Sequence, residues 1–187
     1  MSQHPYSPAI AELLAVERLA PLGPGQPHHA VEDQLRALTL DHAFAPALVH
    51  DRAMAQACLA GLWLYHDFLA EAHSISQELL TVEGSYWHGL MHRREPDFGN
   101  SKYWFRRVGS HPVFEPLRHA AAELAAMDSN SATAFLRAQS AWDPFAFVDL
   151  CEKCHTGRCP AEMLCRRIQQ REWELLFDYC YRQAVGG

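Results

Sequence analysis

The strongest constraint on the fold is a long stretch whose apolar residues cover most of a helix surface. In residues 51–80, the polar side chains Asp67, Glu71, Ser74 and Glu78 lie on a single stripe, and nearly everything else is apolar. A helix of this kind is typical of the middle of a bundle. Runs that alternate between apolar and polar residues, the pattern of a β-strand, are absent from the sequence. The sequence therefore predicts an all-α fold with a central helix over residues 51–80.

Capping and breaking residues divide the rest of the chain into further helices. Ser7 with Pro8, and Asp143 with Pro144, combine a capping side chain with a proline suited to the first helical turn. Pro96 marks the end of another helix. The predicted helices cover about residues 8–19, 31–39, 51–80, 83–94, 100–109 and 112–127, with one more after Pro144 and one after Pro160. We expect an irregular bundle of about seven helices.

Length and composition predict one globular domain over residues 1–187, of which 49% are hydrophobic and 20% charged. Residues 1–45 contain the linker-like stretch PLGPGQPHH and either pack on the core or form a loosely attached segment. The net charge of −6 argues against a nucleic-acid binder. No apolar run reaches membrane-spanning length, and the first residues lack a secretory signal. We therefore expect a cytoplasmic protein without nucleic-acid or membrane partners; the oligomeric state is not predicted.

Histidines with helical spacing form a candidate metal site. On a helix over residues 83–94 that continues to Glu95, the side chains of His88, His92 and Glu95 lie within about 60° of one another. The short connection to the preceding helix makes the two helices neighbours, so His73 can approach His88. Imidazole and carboxylate ligands suit Zn or Fe, although the zincin motif is absent. The predicted ligands are His66, His73, His88, His92 and Glu95. The alternative is a set of ordinary core histidines that carboxylates or carbonyls satisfy.

The same region combines basic and aromatic residues. Guanidinium groups suit carboxylate or phosphate, and indole rings can form the walls of a pocket. The predicted residues of a small anionic-ligand site are Arg93, Arg94, Arg106, Arg107, Trp87 and Trp104. The alternative is that the arginines pair with Glu95, Asp97 and Glu115 while the aromatic residues pack between helices.

A Cys-x-x-Cys-His motif in the segment LCEKCHTGRC matches the pattern of c-type haem attachment. That attachment normally follows export, and no export signal is present, so we do not expect haem. A structural zinc site is a second interpretation, with Cys151, Cys154 and Cys159 joined by His155 or Cys165. Free thiols between two helices are the third.

The segment HGLMHRREPDFGNSKYWFRRV resembles one tetratricopeptide-like helical pair. Gly89, Ser101 and Phe105 occupy the glycine, small-residue and aromatic positions of that repeat, whereas His92 stands where the repeat keeps a tyrosine. No second copy occurs at a period near 34 residues. The resemblance therefore implies a tetratricopeptide-like hairpin and not a repeat scaffold.

Three blocks are similar to a family of uncharacterised bacterial helical proteins. The blocks are CLAGLWLYHDFLAEAHSISQ, GSYWHGLMHRREPDFGNSKYWFRRVGSHPVF and REWELLFDYCYRQA. The resemblance covers most of the chain from about residue 50 onward. It implies a helical cytoplasmic protein and brings no established activity or ligand.

Three functions fit these patterns. The first is a polar pocket rich in His, Arg and aromatic residues that binds a metal ion or a small anion. The second is a metal-dependent hydrolase or oxygenase within a helical bundle, and the third is a helical interaction or scaffold protein. No nucleophilic triad, phosphate loop or dinucleotide fingerprint is present. The sequence does not decide whether the protein is an enzyme.

Overall fold

The computed structural model describes residues 6–187, which form helices joined by turns and loops. The α-helices are α1 Pro8–Leu13, α2 Glu32–Ala37, α3 Leu40–Phe44, α4 Arg52–Tyr65, α5 Leu69–Glu78, α6 Val82–Arg94, α7 Phe98–Val108, α8 Phe114–Leu124, α9 Phe135–Ala138, α10 Pro144–His155 and α11 Glu162–Val185. Two 3₁₀ segments cover His29–Val31 and Ser131–Thr133. The all-α class is confirmed, and residues 6–187 contain no β-strand. The expected number of about seven helices is too low, because these residues contain eleven α-helices.

The helix expected over residues 51–80 is divided into α4 and α5. Between them, Asp67 has a φ of 65°, in the left-handed region, which costs a non-glycine residue about 1–2 kcal/mol. The Asp67 carboxylate accepts hydrogen bonds from Arg18 at 2.6 Å and Arg94 at 2.5 Å, and these hold the turn in place. Both partners are distant in sequence, so the apolar pattern of residues 51–80 does not reveal the break.

Helix α6 lies at the centre of the bundle even though it carries many polar residues. Twelve of its thirteen residues are buried, and it packs against α4, α5 and α7. Gly89 allows the close approach of α7, since a Cβ at this position would lie 3.2 Å from the Phe105 ring. The Ser101 hydroxyl donates a hydrogen bond of 2.8 Å to the Gly89 carbonyl. The tetratricopeptide-like character of this α6–α7 hairpin stays a prediction.

Helix α11 packs against α4, α8 and α10 and completes the bundle. The Trp173 indole N–H donates a hydrogen bond of 2.9 Å to the Gly61 carbonyl in α4, and Phe177 is fully buried beside it. Neither α11, which has 24 residues, nor any other helix within residues 6–187 is long and apolar enough to span a membrane.

Candidate metal centre

Three histidines from two neighbouring helices converge beside α7. His73 lies on α5, while His88 and His92 lie one turn apart on α6. One nitrogen of each ring lies within 4.8 Å of the others, so the group could hold a metal ion. Within residues 6–187, this is the one group of three or more histidine, cysteine or acidic side chains with that property. The α5–α6 turn therefore brings together three of the five predicted metal ligands.

Ring packing fixes the orientation of the two histidines on α6. The His88 and His92 rings are stacked, with centroids 4.8 Å apart and an interplanar angle of 15°. The Trp104 indole from α7 stacks on His88 at 3.9 Å, also at 15°. Arg107 lies over Trp104, with its guanidinium carbon 5.2 Å from the ring centroid. His73 meets His88 edge to face at 4.6 Å and is partly accessible to solvent.

The two α6 imidazoles each keep one buried nitrogen without a hydrogen-bond partner in the described chain. These atoms are Nδ1 of His88 and Nδ1 of His92. An unpaired buried nitrogen is costly, so most such groups in folded proteins have a partner. On the same helix, the Tyr86 hydroxyl donates to Glu172 at 3.0 Å, whereas Trp87 Nε1 and Arg93 Nη1 are also without a partner in the described chain. Two of the side-chain nitrogens of α6 that lack a hydrogen-bond partner therefore belong to the converging histidine group.

Burial keeps the imidazoles in their neutral form. The pKa of His88 is lowered to about 3, mainly by burial and also by the neighbouring His92 and His73. Burial also lowers the pKa of His92, against the opposing effect of Glu95. Both rings are therefore neutral at pH 7, the form whose nitrogen lone pair binds a metal ion.

Two carboxylates lie beside His92 at the turn between α6 and α7. The Glu95 Oε2 atom is 3.3 Å from His92 Nδ1, and Asp97 Oδ2 is 3.9 Å from the same nitrogen. Although Glu95 is close, His92 Nδ1 has no hydrogen bond of normal geometry within the described residues. Glu95 is thus next to the histidine group but outside the set that converges within 4.8 Å.

His66, the fifth predicted ligand, lies in a different environment. It is fully buried at the end of α4, and its Nδ1 is 3.3 Å from Nδ1 of His28. The next residue is Asp67, which binds Arg18 and Arg94. His66 is not part of the converging group because the α4–α5 break separates its helix from that of His73.

The predicted anion-site residues do not form one pocket. Arg93 is fully buried and pairs with Glu172 at 2.6 Å, and Arg94 pairs with Asp67. The alternative partners Glu95, Asp97 and Glu115 are therefore wrong for these two arginines. Arg106 and Arg107 are exposed on α7. The remaining two residues are also apart: Trp87 is buried against Gly61 in the core, and Trp104 covers His88.

The cysteine segment forms the contact between α10 and α11. Its three thiols and that of the following Cys165 are buried and free, and the sulfur atoms of Cys154 and Cys165 are 3.7 Å apart. Burial, together with a hydrogen bond to Cys159, raises the pKa of the Cys154 thiol to about 12. A hydrogen bond with Cys151 and burial raise the pKa of Cys165. Cys151, Cys154 and Cys159 form no converging ligand group within residues 6–187, so the geometry of the predicted zinc site is not present there.

The sequence interpretation overlooked the carboxylates that neutralise the buried arginines. Asp67 and Glu172 are distant in sequence from Arg94 and Arg93, respectively. A signal for Asp67 was its position within the apolar run GLWLYHDFLA, where a charged side chain requires a partner. No comparable signal marks Glu172. Comparisons with protein-family models, curated proteins and solved structures find no match for this chain.

Proposed function

We propose that the protein binds one divalent transition-metal ion through His73, His88 and His92. The observation that carries this proposal is the convergence of three imidazoles, two of which have a buried nitrogen with no other partner in the described chain. Imidazole ligands suit Zn²⁺, Fe²⁺, Ni²⁺ and Cu²⁺. A bound ion would accept the lone pairs that the fold leaves unpaired.

The surroundings of the three histidines support an ion that retains an open coordination position. Trp104 covers one side of His88, whereas His73 is partly accessible to solvent. Three protein ligands leave room for a water molecule or a substrate, as in catalytic zinc sites, whereas structural sites are closed by four ligands. The reaction class that suits such a site is metal-assisted hydrolysis with Zn²⁺, or oxidation with Fe²⁺ and O₂.

Elemental analysis of protein purified without a histidine tag or chelator tests the proposal. We expect about one Zn or Fe atom per chain, or one Zn²⁺ or Fe²⁺ bound after reconstitution. Loss of this metal in the His88→Ala/His92→Ala variant would support the proposed site. His73→Ala is the companion variant, because this residue is less buried and its removal disturbs packing less.

A matched control removes two histidines elsewhere. His42→Ala/His119→Ala eliminates two exposed imidazoles outside the converging group, and we expect unchanged metal content. Circular dichroism establishes that each variant is folded. The proposal fails if wild-type protein binds neither ion after reconstitution, or if a folded His73→Ala variant retains the same affinity.

A further inference from the structure

We infer that Glu95 supplies a fourth, anionic ligand to the metal ion, which makes the centre a three-histidine, one-carboxylate site. The inference rests on the proposed function, since it completes the same centre. Its basis is the position of the Glu95 carboxylate, its freedom from other partners and the charge of the group it adjoins.

The position of Glu95 relative to His92 fits two ligands of one ion. The unpaired nitrogen of His92 is Nδ1, and Glu95 Oε2 lies 3.3 Å from it. With metal–ligand bonds of about 2.1 Å, adjacent ligand atoms are separated by about 3.0–3.4 Å. The separation therefore matches that of neighbouring ligands of one ion, and Glu95 would have to move closer to His73 and His88 to complete the set, since it lies outside their 4.8 Å group.

Glu95 is also the less committed of the two carboxylates beside His92. Asp97 caps α7: its carboxylate accepts hydrogen bonds from the Asn100 backbone N–H at 3.2 Å and the Asn100 side chain at 2.7 Å. Within the described residues, the Glu95 carboxylate has no ion pair other than its 3.3 Å contact with His92, and its side chain is 35% exposed. Rotation about its side-chain bonds can therefore bring an oxygen onto the ion with no loss of a contact other than the one to His92.

Charge neutralisation favours the same residue. Three neutral imidazoles leave both positive charges of a divalent ion uncompensated in a largely buried position, which is unfavourable. The buried carboxylates Asp67 and Glu172 already compensate Arg94 and Arg93. Glu95 can reduce the net charge of the centre from +2 to +1. With four protein ligands, open positions would remain only on an ion that takes five or six ligands, as non-haem Fe²⁺ does, because four ligands close a tetrahedral Zn²⁺ site.

Titration of metal-free, full-length protein with Co²⁺ tests the inference, because the visible absorption of Co²⁺ reports its ligands and geometry. We expect Glu95→Gln to weaken Co²⁺ binding by at least about tenfold and to change the visible spectrum. Asp97→Asn removes the same charge two residues away while retaining an oxygen that can cap α7. We expect this control to keep the wild-type spectrum and to change the affinity less than about threefold.

The possible results separate this inference from the proposed function. Absence of Co²⁺ binding by wild-type protein would overturn both. Wild-type binding with the same affinity and spectrum in Glu95→Gln would overturn the fourth ligand alone. Weaker binding with an unchanged spectrum would also overturn it, because Glu95 would then only orient His92. Glu95 is exposed, and Gln preserves its size, so we expect the variant to fold.

Discussion

At the scale of single residues, burial decides which side chains of this protein carry charge. Arg93 and Glu172 are both fully buried and paired, so each compensates the charge of the other. His66 is equally buried but adjoins Arg18 and His28 as well as Asp67. Burial lowers the pKa of His66 to about 4, and Arg18 and His28 act in the same direction. The native state therefore favours the neutral imidazole.

His66 makes a predictable contribution to acid sensitivity. An unfolded histidine has a pKa of about 6.5, so the unfolded chain binds a proton at a pH where native His66 remains neutral. Its contribution to stability is complete above pH 6.5 and is lost as the pH falls towards 4. We expect His66→Gln to reduce the loss of unfolding free energy between pH 7.5 and 4.5 by about 2 kcal/mol. Urea denaturation with a chelator present measures this difference.

A matched control for this measurement is His119→Gln, which removes an exposed histidine of α8. We expect its pH dependence to follow that of the wild type. Equal losses of stability in His66→Gln and wild type would show that burial of His66 does not penalise its protonation. Because His88 and His92 titrate in both proteins, the comparison isolates the single substitution.

At the scale of elements, capping signals were more informative than apolar pattern. Ser7 and Asp143, the two capping residues identified from the sequence, accept backbone hydrogen bonds at the starts of α1 and α10. The apolar pattern correctly indicated helices but placed the longest across residues 66–68. The local sequence pattern does not show that Arg18 and Arg94, which are distant in sequence, bind Asp67 and hold the break in place. The i,i+4 spacing of His88 and His92 is local, so the sequence predicts that the two side chains lie together. Whether His73 or His66 joins them depends on the direction of α5 after the break, which the sequence does not show.

Gly84 lies at the start of α6, where it controls how closely α6 approaches the end of α5. A Cβ at this position would clash with the carbonyl oxygen and Cβ of Leu79 in the intervening turn. We expect Gly84→Ala to displace the turn and destabilise the fold by about 1–3 kcal/mol. Because His73 and His88 lie on opposite sides of this turn, we also expect about tenfold weaker Zn²⁺ binding. Urea denaturation and competition with a chromophoric chelator measure the two effects.

Gly99→Ala provides the control for helix propensity. This glycine lies in α7, and the nearest atom to an added Cβ, outside its chain neighbours, would be 3.8 Å away. We expect unchanged Zn²⁺ affinity and equal or higher stability, since alanine favours a helix over glycine by about 1 kcal/mol. If Gly84→Ala leaves Zn²⁺ affinity and stability unchanged, as expected for Gly99→Ala, then the close contact between Gly84 and Leu79 does not position the histidines.

At the scale of the whole molecule, hydrogen bonds and an ion pair connect the described part of the N-terminal segment, residues 6–45, to the bundle at several positions. The Tyr181 hydroxyl accepts a hydrogen bond from the Ser7 backbone at 2.9 Å, and Arg18 binds Asp67. Arg166 of α11 donates to the Leu19 and Ala20 carbonyls. These ties favour one cooperative unit over a loosely attached segment, and the single domain over residues 1–187 remains a prediction.

Substitution within α1 distinguishes the two possibilities. Ile10 is fully buried, whereas Val16 is 55% exposed in the same segment. If the segment unfolds together with the bundle, Ile10→Ala should lower the free energy of the main unfolding transition by about 3 kcal/mol. Val16→Ala should change it by less than about 0.5 kcal/mol. Circular dichroism during urea denaturation follows that transition, because most of the helical signal comes from α4 to α11. If Ile10→Ala does not change the free energy of the main unfolding transition, α1 unfolds independently of the bundle. The reason is that a cavity at Ile10 lowers the stability only of the cooperative unit that contains it.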